Sequence, residues 1–279
     1  MKTIGVIGAG QMGLGIAQVC AGKGFLVVLC DAKKESLDKA RQVITQSAEK
    51  LLAKNLLSPG EEQSIRKIVY TEKKDDLRGS DLLIEAVPED EELKKNILSS
   101  LEPLLSQGGF LASNTSSLSI TRLGRVLKDP GRFLGIHFMN PVPLMKLVEV
   151  IPGLETRPDV LAQGLDFVRS LQKDPVTSKD YPGFIVNRIL MPMINEAFFA
   201  MMETLAEPSE IDQAMVLGCH QPMGPLALAD FIGLDTCLSI MKVLHSGLGD
   251  SKYRPCPLLQ QYVDSGRLGR KSGRGVYVY

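Results

Sequence analysis

The chain has 279 residues, 44% hydrophobic and 23% charged, which suits one large domain or two ordinary ones around a normal core. Lysine plus arginine equals aspartate plus glutamate at 32 each, so there is no net charge to draw nucleic acid or a membrane surface non-specifically. The five cysteines, Cys20, Cys30, Cys219, Cys237 and Cys256, are scattered and never spaced C-x-x-C, which argues against a disulfide framework and a zinc site alike.

Short apolar runs at Ile4–Ile7, Leu26–Cys30, Ile68–Val69, Leu82–Ala86 and Phe110–Ala112 predict buried strands. Between them, Met12–Lys23, Lys33–Asn55 and Glu91–Leu105 carry apolar residues at helical spacing. Continuous apolar strands alternating with helices indicate a parallel sheet covered on both faces. A helix at Ser119–Leu127 and a strand at Phe133–Phe138 follow, and Asn140-Pro141 with Pro143 then forces a turn. A strand at Lys146–Ile151, a helix at Pro158–Leu171 and a last short strand at Val176–Ser178 complete this half.

After Tyr181-Pro182-Gly183 the pattern becomes helical, at Ile185–Leu205, Ser209–Leu217 and Leu226–Leu244. The tail Gly266–Tyr279 is rich in glycine and arginine and ends in a strand-like Val276–Tyr279. The expected architecture is α/β, a Rossmann-type doubly wound, mostly parallel sheet over residues 1–181 followed by an all-α domain over residues 182–279. No run approaches the ~20 apolar residues needed to cross a bilayer. Leu190–Met202 comes nearest and is interrupted by Pro192, Asn195 and Glu196. With no basic-plus-apolar leader before the first strand, a reduced, cytoplasmic setting is expected.

Gly8-x-Gly10-x-x-Gly13 follows the first strand directly and opens the first helix. Such glycines permit a tight turn, let backbone approach a pyrophosphate and allow close helix–strand packing. The helix N-terminus adds N–H groups and a favourable dipole for phosphate. Asp31, at the end of the second strand, suits an adenosine 2′-hydroxyl and would repel a 2′-phosphate, so NAD is favoured over NADP. Lys33 and Lys34 lie close enough to leave a relaxed preference open.

Removing hydride from an alcohol requires a base for the hydroxyl proton, and histidine titrates in the right range. Of the three histidines, His137 ends a predicted strand, where ligands bind in doubly wound sheets. Glu149 lies in the next strand, across the proline turn, and a carboxylate facing the imidazole would fix its tautomer. By spacing alone, a histidine satisfied by backbone and a glutamate facing solvent remains the alternative. His220 and His245 have no partner pattern and read as structural, and no metal site is expected.

Five stretches in order make a specific whole-chain pattern: Gly8-Ala9-Gly10-Gln11-Met12-Gly13, Glu85-Ala86-Val87-Pro88-Glu89, Ser113-Asn114-Thr115-Ser116-Ser117, His137-Phe138-Met139-Asn140-Pro141 and Pro182-Gly183-Phe184-Ile185-Val186-Asn187-Arg188. The pattern resembles the short-chain 3-hydroxyacyl-CoA dehydrogenases, particularly the bacterial 3-hydroxybutyryl-CoA enzymes. The resemblance implies that His137 is the acid/base, that Glu149 is its partner, and that Ser116 and Asn187 hydrogen-bond an acyl-CoA substrate. Gln11 and Met12 would join the glycines and Asp31 in holding NAD, with Glu89, Lys94 and Asn114 lining its nicotinamide half. Asn140 would contact substrate.

CoA phosphates need cations, which the resemblance places near the long second helix, where Lys50 and Lys54 share a face. Lys54 is preferred to Lys50, although a solvated face is the plain alternative. The resemblance also implies a homodimer through the helical domain, whose Met191, Met193, Met201, Met202, Met223, Phe198 and Phe199 otherwise read as core. Two other readings stay open: a 3-hydroxyacid dehydrogenase with a lysine base, and an NADH-binding or structural protein without turnover.

Overall fold

The computed structural model describes all residues from Met1 to Tyr279, in two units, Met1–Tyr181 and Pro182–Tyr279. The first unit opens with β1 (Thr3–Ile7), α1 (Gln11–Gly22), β2 (Leu26–Cys30), α2 (Lys34–Ala53), α3 (Pro59–Ile65) and β3 (Val69–Thr71). It continues through β4 (Ser80–Glu85), α4 (Glu91–Leu101), β5 (Leu105–Ser113) and α5 (Ile120–Gly124). It ends with β6 (Phe133–Phe138), β7 (Leu147–Pro152), α6 (Pro158–Ser170) and β8 (Asp174–Thr177).

All eight strands form one sheet, ordered β3-β2-β1-β4-β5-β6-β7-β8. Pairing is parallel from β3 to β6, antiparallel between β6 and β7, and parallel again between β7 and β8. The expected doubly wound, mostly parallel sheet is the one that forms. Its order reverses between β1 and β4, which opens a crevice at the carboxyl ends of those strands. Ile4–Ile7 and Leu82–Glu85 are buried at every position because helices cover both faces, and so they read as unbroken runs. Helix α1 turns Ile16, Ala17, Cys20 and Ala21 into this core, one face of a 3.6-residue repeat.

The long helix expected over Lys33–Asn55 stops at Ala53, and the separate α3 follows. A reciprocal capping box starts α3: Ser58 Oγ accepts from the Glu61 N–H, and the Glu61 carboxylate accepts from the Ser58 N–H at 2.8 Å.

The second unit holds α7 (Val186–Met202), α8 (Pro208–Cys219), α9 (Pro225–Ile232), α10 (Leu234–Leu248) and α11 (Pro257–Asp264). Met191, Ile194, Phe198, Leu226, Leu238, Met241, Leu244 and Leu259 pack into its own core. The single helix expected over Leu226–Leu244 is two helices, because Gly233 adopts a φ of 105° that no α-helix tolerates. Helix α11 is not among the expected helices, although Leu258, Leu259, Tyr262 and Val263 share its packed face.

The expected terminal strand does not form either; the tail makes only isolated bridges, Gly269 with Arg274 and Arg274 with Val278. Its amide groups go to a side chain instead. The buried Asp230 carboxylate accepts from the Val276 and Tyr277 N–H groups at 2.9 Å each and from the Tyr279 hydroxyl at 3.1 Å. Asp212 accepts from the Tyr277 hydroxyl at 2.8 Å.

Candidate active site

The loop from β1 to α1 is shaped by its glycines. Gly8 has a φ of 100°, and a side chain there would press on the Ala86 carbonyl oxygen. A Cβ at Gly13 would collide with the Gly8 carbonyl, so helix and turn meet only if position 13 is glycine. In front of Gly10 there is no protein atom within 4 Å of where a Cβ would stand, and no side chain caps α1. The first N–H groups of α1 therefore face open space, which fits a dinucleotide pyrophosphate.

Asp31 braces this turn, with one carboxylate oxygen accepting from the Ala9 N–H at 2.7 Å and the other from the Lys33 N–H at 2.9 Å. On the opposite side, Gln11 donates to the Asn140 side-chain oxygen at 3.2 Å, tying the turn to the loop between β6 and β7.

The antiparallel register of β6 and β7 sets His137 directly opposite Glu149. The imidazole Nδ1 lies 2.7 Å from Glu149 Oε2, with the histidine 5% exposed and the glutamate fully buried. An ionised carboxylate only accepts, so Nδ1 is the donor in this contact and a base function falls to Nε2. The neighbouring strand end is locked in place as well, because the Asn114 side-chain oxygen accepts from the Phe138 N–H at 2.9 Å.

The turn Thr115–Ser117, which carries Ser116, is held by Glu89. One Glu89 carboxylate oxygen accepts from the Thr115 hydroxyl at 2.6 Å, the Ser116 N–H at 2.9 Å and both the N–H and hydroxyl of Ser117 at 3.0 Å. Burial works against the charge on Glu89, but the Lys94 ammonium and these hydrogen bonds outweigh it and hold the carboxyl below the usual carboxylate range. Lys94 itself is enclosed, 1% exposed, with its ammonium 2.7 Å from Glu85.

Of the two candidate lysines, Lys50 in the last turn of α2 lines a groove of about 380 Å³ together with Gln11, Ser47, Asn140 and Pro143. Lys54 caps the C-terminal end of α2 and is not part of that lining. Asn187 stands in the first turn of α7, in the second unit.

Three residues receive no role from the sequence alone, although Glu85 and Ser113 lie within two of the quoted stretches. Glu85 closes an apolar strand, and a lone carboxylate at the end of Asp81-Leu82-Leu83-Ile84-Glu85 was the available signal. Ser113 ends β5 beside it, and Ser47 shares the Lys50 face of α2 at i, i+3.

A sheet in this order with a glycine turn of this shape after β1 defines a dinucleotide-binding protein of the Rossmann class. Comparison with known proteins narrows the class. Residues 3–181 match the family model for the 3-hydroxyacyl-CoA dehydrogenase NAD binding domain, and residues 183–279 match that for the 3-hydroxyacyl-CoA dehydrogenase C-terminal domain. The chain belongs to the 3-hydroxyacyl-CoA dehydrogenase family, and it is an NAD-dependent enzyme of that family.

Among its relatives, a probable 3-hydroxybutyryl-CoA dehydrogenase of Deinococcus radiodurans is 52% identical over 99% of both chains. The 3-hydroxybutyryl-CoA dehydrogenase of Bradyrhizobium diazoefficiens is 52% identical over 100% of this chain and 96% of its own. Among solved structures, the (S)-3-hydroxybutyryl-CoA dehydrogenase of Ralstonia eutropha superposes with a TM-score of 0.95 at 47% identity, covering 100% of this chain and 99% of its own.

Proposed function

We propose that the enzyme interconverts (S)-3-hydroxybutyryl-CoA and acetoacetyl-CoA with NAD, using His137 as the acid/base. The observation that carries this is the buried His137–Glu149 pair at 2.7 Å, at the carboxyl end of β6 in the sheet that also ends β1 in the glycine turn. The short four-carbon substrate follows the names of the relatives that are 52% identical over nearly the whole chain.

The glycine turn at Gly8, Gly10 and Gly13, with Gln11, Met12 and Asp31, would hold the dinucleotide, and Glu89, Lys94 and Asn114 would line its nicotinamide half. When bound, NAD supplies a hydride acceptor at the nicotinamide ring. His137 Nε2 takes the 3-hydroxyl proton as that hydride leaves C3, and returns it to the developing alkoxide in the reverse direction. Glu149 holds the ring in the required tautomer and offsets the imidazolium charge. Ser116 and Asn187 supply oriented hydrogen bonds to the reacting oxygen.

Lys50, Ser47 and Asn140 line the groove beside α2 and would take part of the CoA, with Lys54 at the end of the same helix as the other candidate for a phosphate. The helical unit, residues 182–279, would contribute Asn187 and carry a homodimer contact, in a cytoplasmic enzyme. Sedimentation equilibrium reads the dimer; a monomer at micromolar concentration would remove that part of the proposal.

The test of the substrate is NADH consumption with 3-ketoacyl-CoA thioesters of four to sixteen carbons, beside free acetoacetate. The proposal expects kcat/KM to peak at acetoacetyl-CoA and no turnover of the free acid. A peak at long chains would overturn the substrate assignment, and turnover of free acetoacetate would overturn the role given to CoA.

A further inference from the structure

Glu85 has no place in the chemistry above, yet it is one of the most completely engaged carboxylates in the first unit. It is fully buried at the carboxyl end of β4, in register with Ile7 of β1 and with Ser113 of β5. One oxygen accepts from the Val87 N–H at 2.7 Å and from the Lys94 ammonium at 2.7 Å. The other accepts from the Ser113 hydroxyl.

Lys94 sits on α4 and is equally enclosed, so its charge has few places to go. Besides Glu85 it reaches the Val87 carbonyl at 3.1 Å and Glu89 Oε2 at 3.4 Å. Glu89 in turn accepts four hydrogen bonds from the Thr115–Ser117 turn, through its other oxygen. A buried ion is retained only where its partners are fixed, because leaving one of a buried pair unmatched is strongly unfavourable. Glu85, Lys94, Glu89 and the turn bearing Ser116 are therefore one chain of contacts, and Glu85 is its anchored end.

We infer that Glu85 is a positioning residue for hydride transfer, fixing Lys94 and through it Glu89 and the turn that presents Ser116. The inference rests on the reading of Glu89, Lys94 and Ser116 as the nicotinamide side of the site. Glu85 touches neither substrate nor cofactor in this account. Its effect passes through Lys94, and so it should act on cofactor binding and turnover more than on acyl-CoA binding. General destabilisation of the sheet would move these quantities together.

The experiment compares Glu85→Gln, Lys94→Met and the double variant with the wild-type protein. NADH dissociation constants are taken from fluorescence titration, and kcat and both KM values from acetoacetyl-CoA reduction. Glu85→Gln is expected to weaken NADH about fivefold or more and to lower kcat about tenfold, with KM for acetoacetyl-CoA within about threefold of wild type. In the Lys94→Met background the same change should cost less than about twofold, since contacts acting in series are not additive.

A Glu85→Gln enzyme within twofold of wild type in NADH binding and kcat would overturn the inference, as would equal losses in both backgrounds. Should Glu85→Gln fail to fold, Glu85→Asp keeps the charge and shortens the reach. Weaker NADH with an unchanged acyl-CoA KM then supports the inference, and a shift of both together overturns it. If the wild-type protein does not turn over acetoacetyl-CoA, the substrate assignment is what fails, and the NADH constants still decide the role of Glu85.

Discussion

Glu149→Gln is the substitution that separates catalysis from folding most cleanly. The two side chains are nearly isosteric, so the β6–β7 pair and its register should survive. What changes is the charge 2.7 Å from His137 Nδ1 and the direction of the hydrogen bond. The imidazolium that forms during alcohol oxidation would lose a carboxylate whose charge centre lies about 4 Å away; at an effective dielectric near 20 that attraction is about 4 kcal/mol. Almost none of it is present while the ring is neutral, so most of the loss falls on the barrier, about 10²–10³-fold in kcat.

The glutamine NH₂ can also donate to Nδ1, which would move the ring proton to Nε2 and block the base. The comparable aspartate-to-asparagine change in a Ser-His-Asp triad costs about 10⁴, which sets an upper range. Stability should move the other way or not at all, because a fully buried carboxylate is expensive to desolvate. The assay is steady-state reduction of acetoacetyl-CoA at saturating NADH, paired with a thermal melt. A kcat within threefold of wild type in a protein of unchanged melting temperature would refute the reasoning.

Other consequences can be checked in the same preparation. Asp31→Ser should weaken NADH about tenfold and narrow its advantage over NADPH, read from the two KM values; an unchanged preference would remove the ribose role of Asp31. The hydrogen bond from Lys23, joined by those from Ser58, lowers the Glu61 pKa from 4.5 to about 2. A depressed folded-state value means the contribution is complete above 4.5 and disappears as pH falls through 2, so the melting-temperature gap between wild type and Glu61→Gln should be full at pH 6 and close by pH 2. A gap that widens on acidification would contradict it. Asp230→Ala strips the tail of three acceptor contacts and should destabilise the helical unit by about 2–4 kcal/mol in urea unfolding, against less than 1 for a surface aspartate such as Asp264→Ala.

The sheet was readable because burial on both faces removes alternation and leaves runs such as Ile4–Ile7 that admit few other interpretations. Gly8, Gly10, Gly13 and Asp31 were readable because they occupy fixed offsets from a strand end. His137 and Glu149 are a different case. Their separation of 12 residues makes a pairing conceivable, and only the antiparallel register, set by the length of the proline turn, puts one opposite the other.

The contact between Glu85 and Lys94 was not legible, although the resemblance gave Lys94 a cofactor role. A charged residue beside a run of acidic ones looks solvated, and nothing local reveals that α4 turns Lys94 into the core toward a carboxylate on β4. The helix break after Ile232 depends on one glycine dihedral at Gly233, which sequence periodicity does not register. The tail looked like a strand from Val276-Tyr277-Val278-Tyr279, but its amides are taken by Asp230, more than forty positions earlier.

The central claim is that this family member transfers hydride between NAD and an acyl-CoA with His137 as the acid/base. The direct measurement is NADH oxidation at 340 nm with acetoacetyl-CoA for the wild-type protein and His137→Gln, with NADH affinity of both taken by fluorescence. The account predicts rapid wild-type turnover, a loss of about 10²–10⁴-fold in the variant and an NADH affinity within about threefold. Turnover retained in His137→Gln at near wild-type rates would contradict it, and would send the search for the acid/base elsewhere in the molecule.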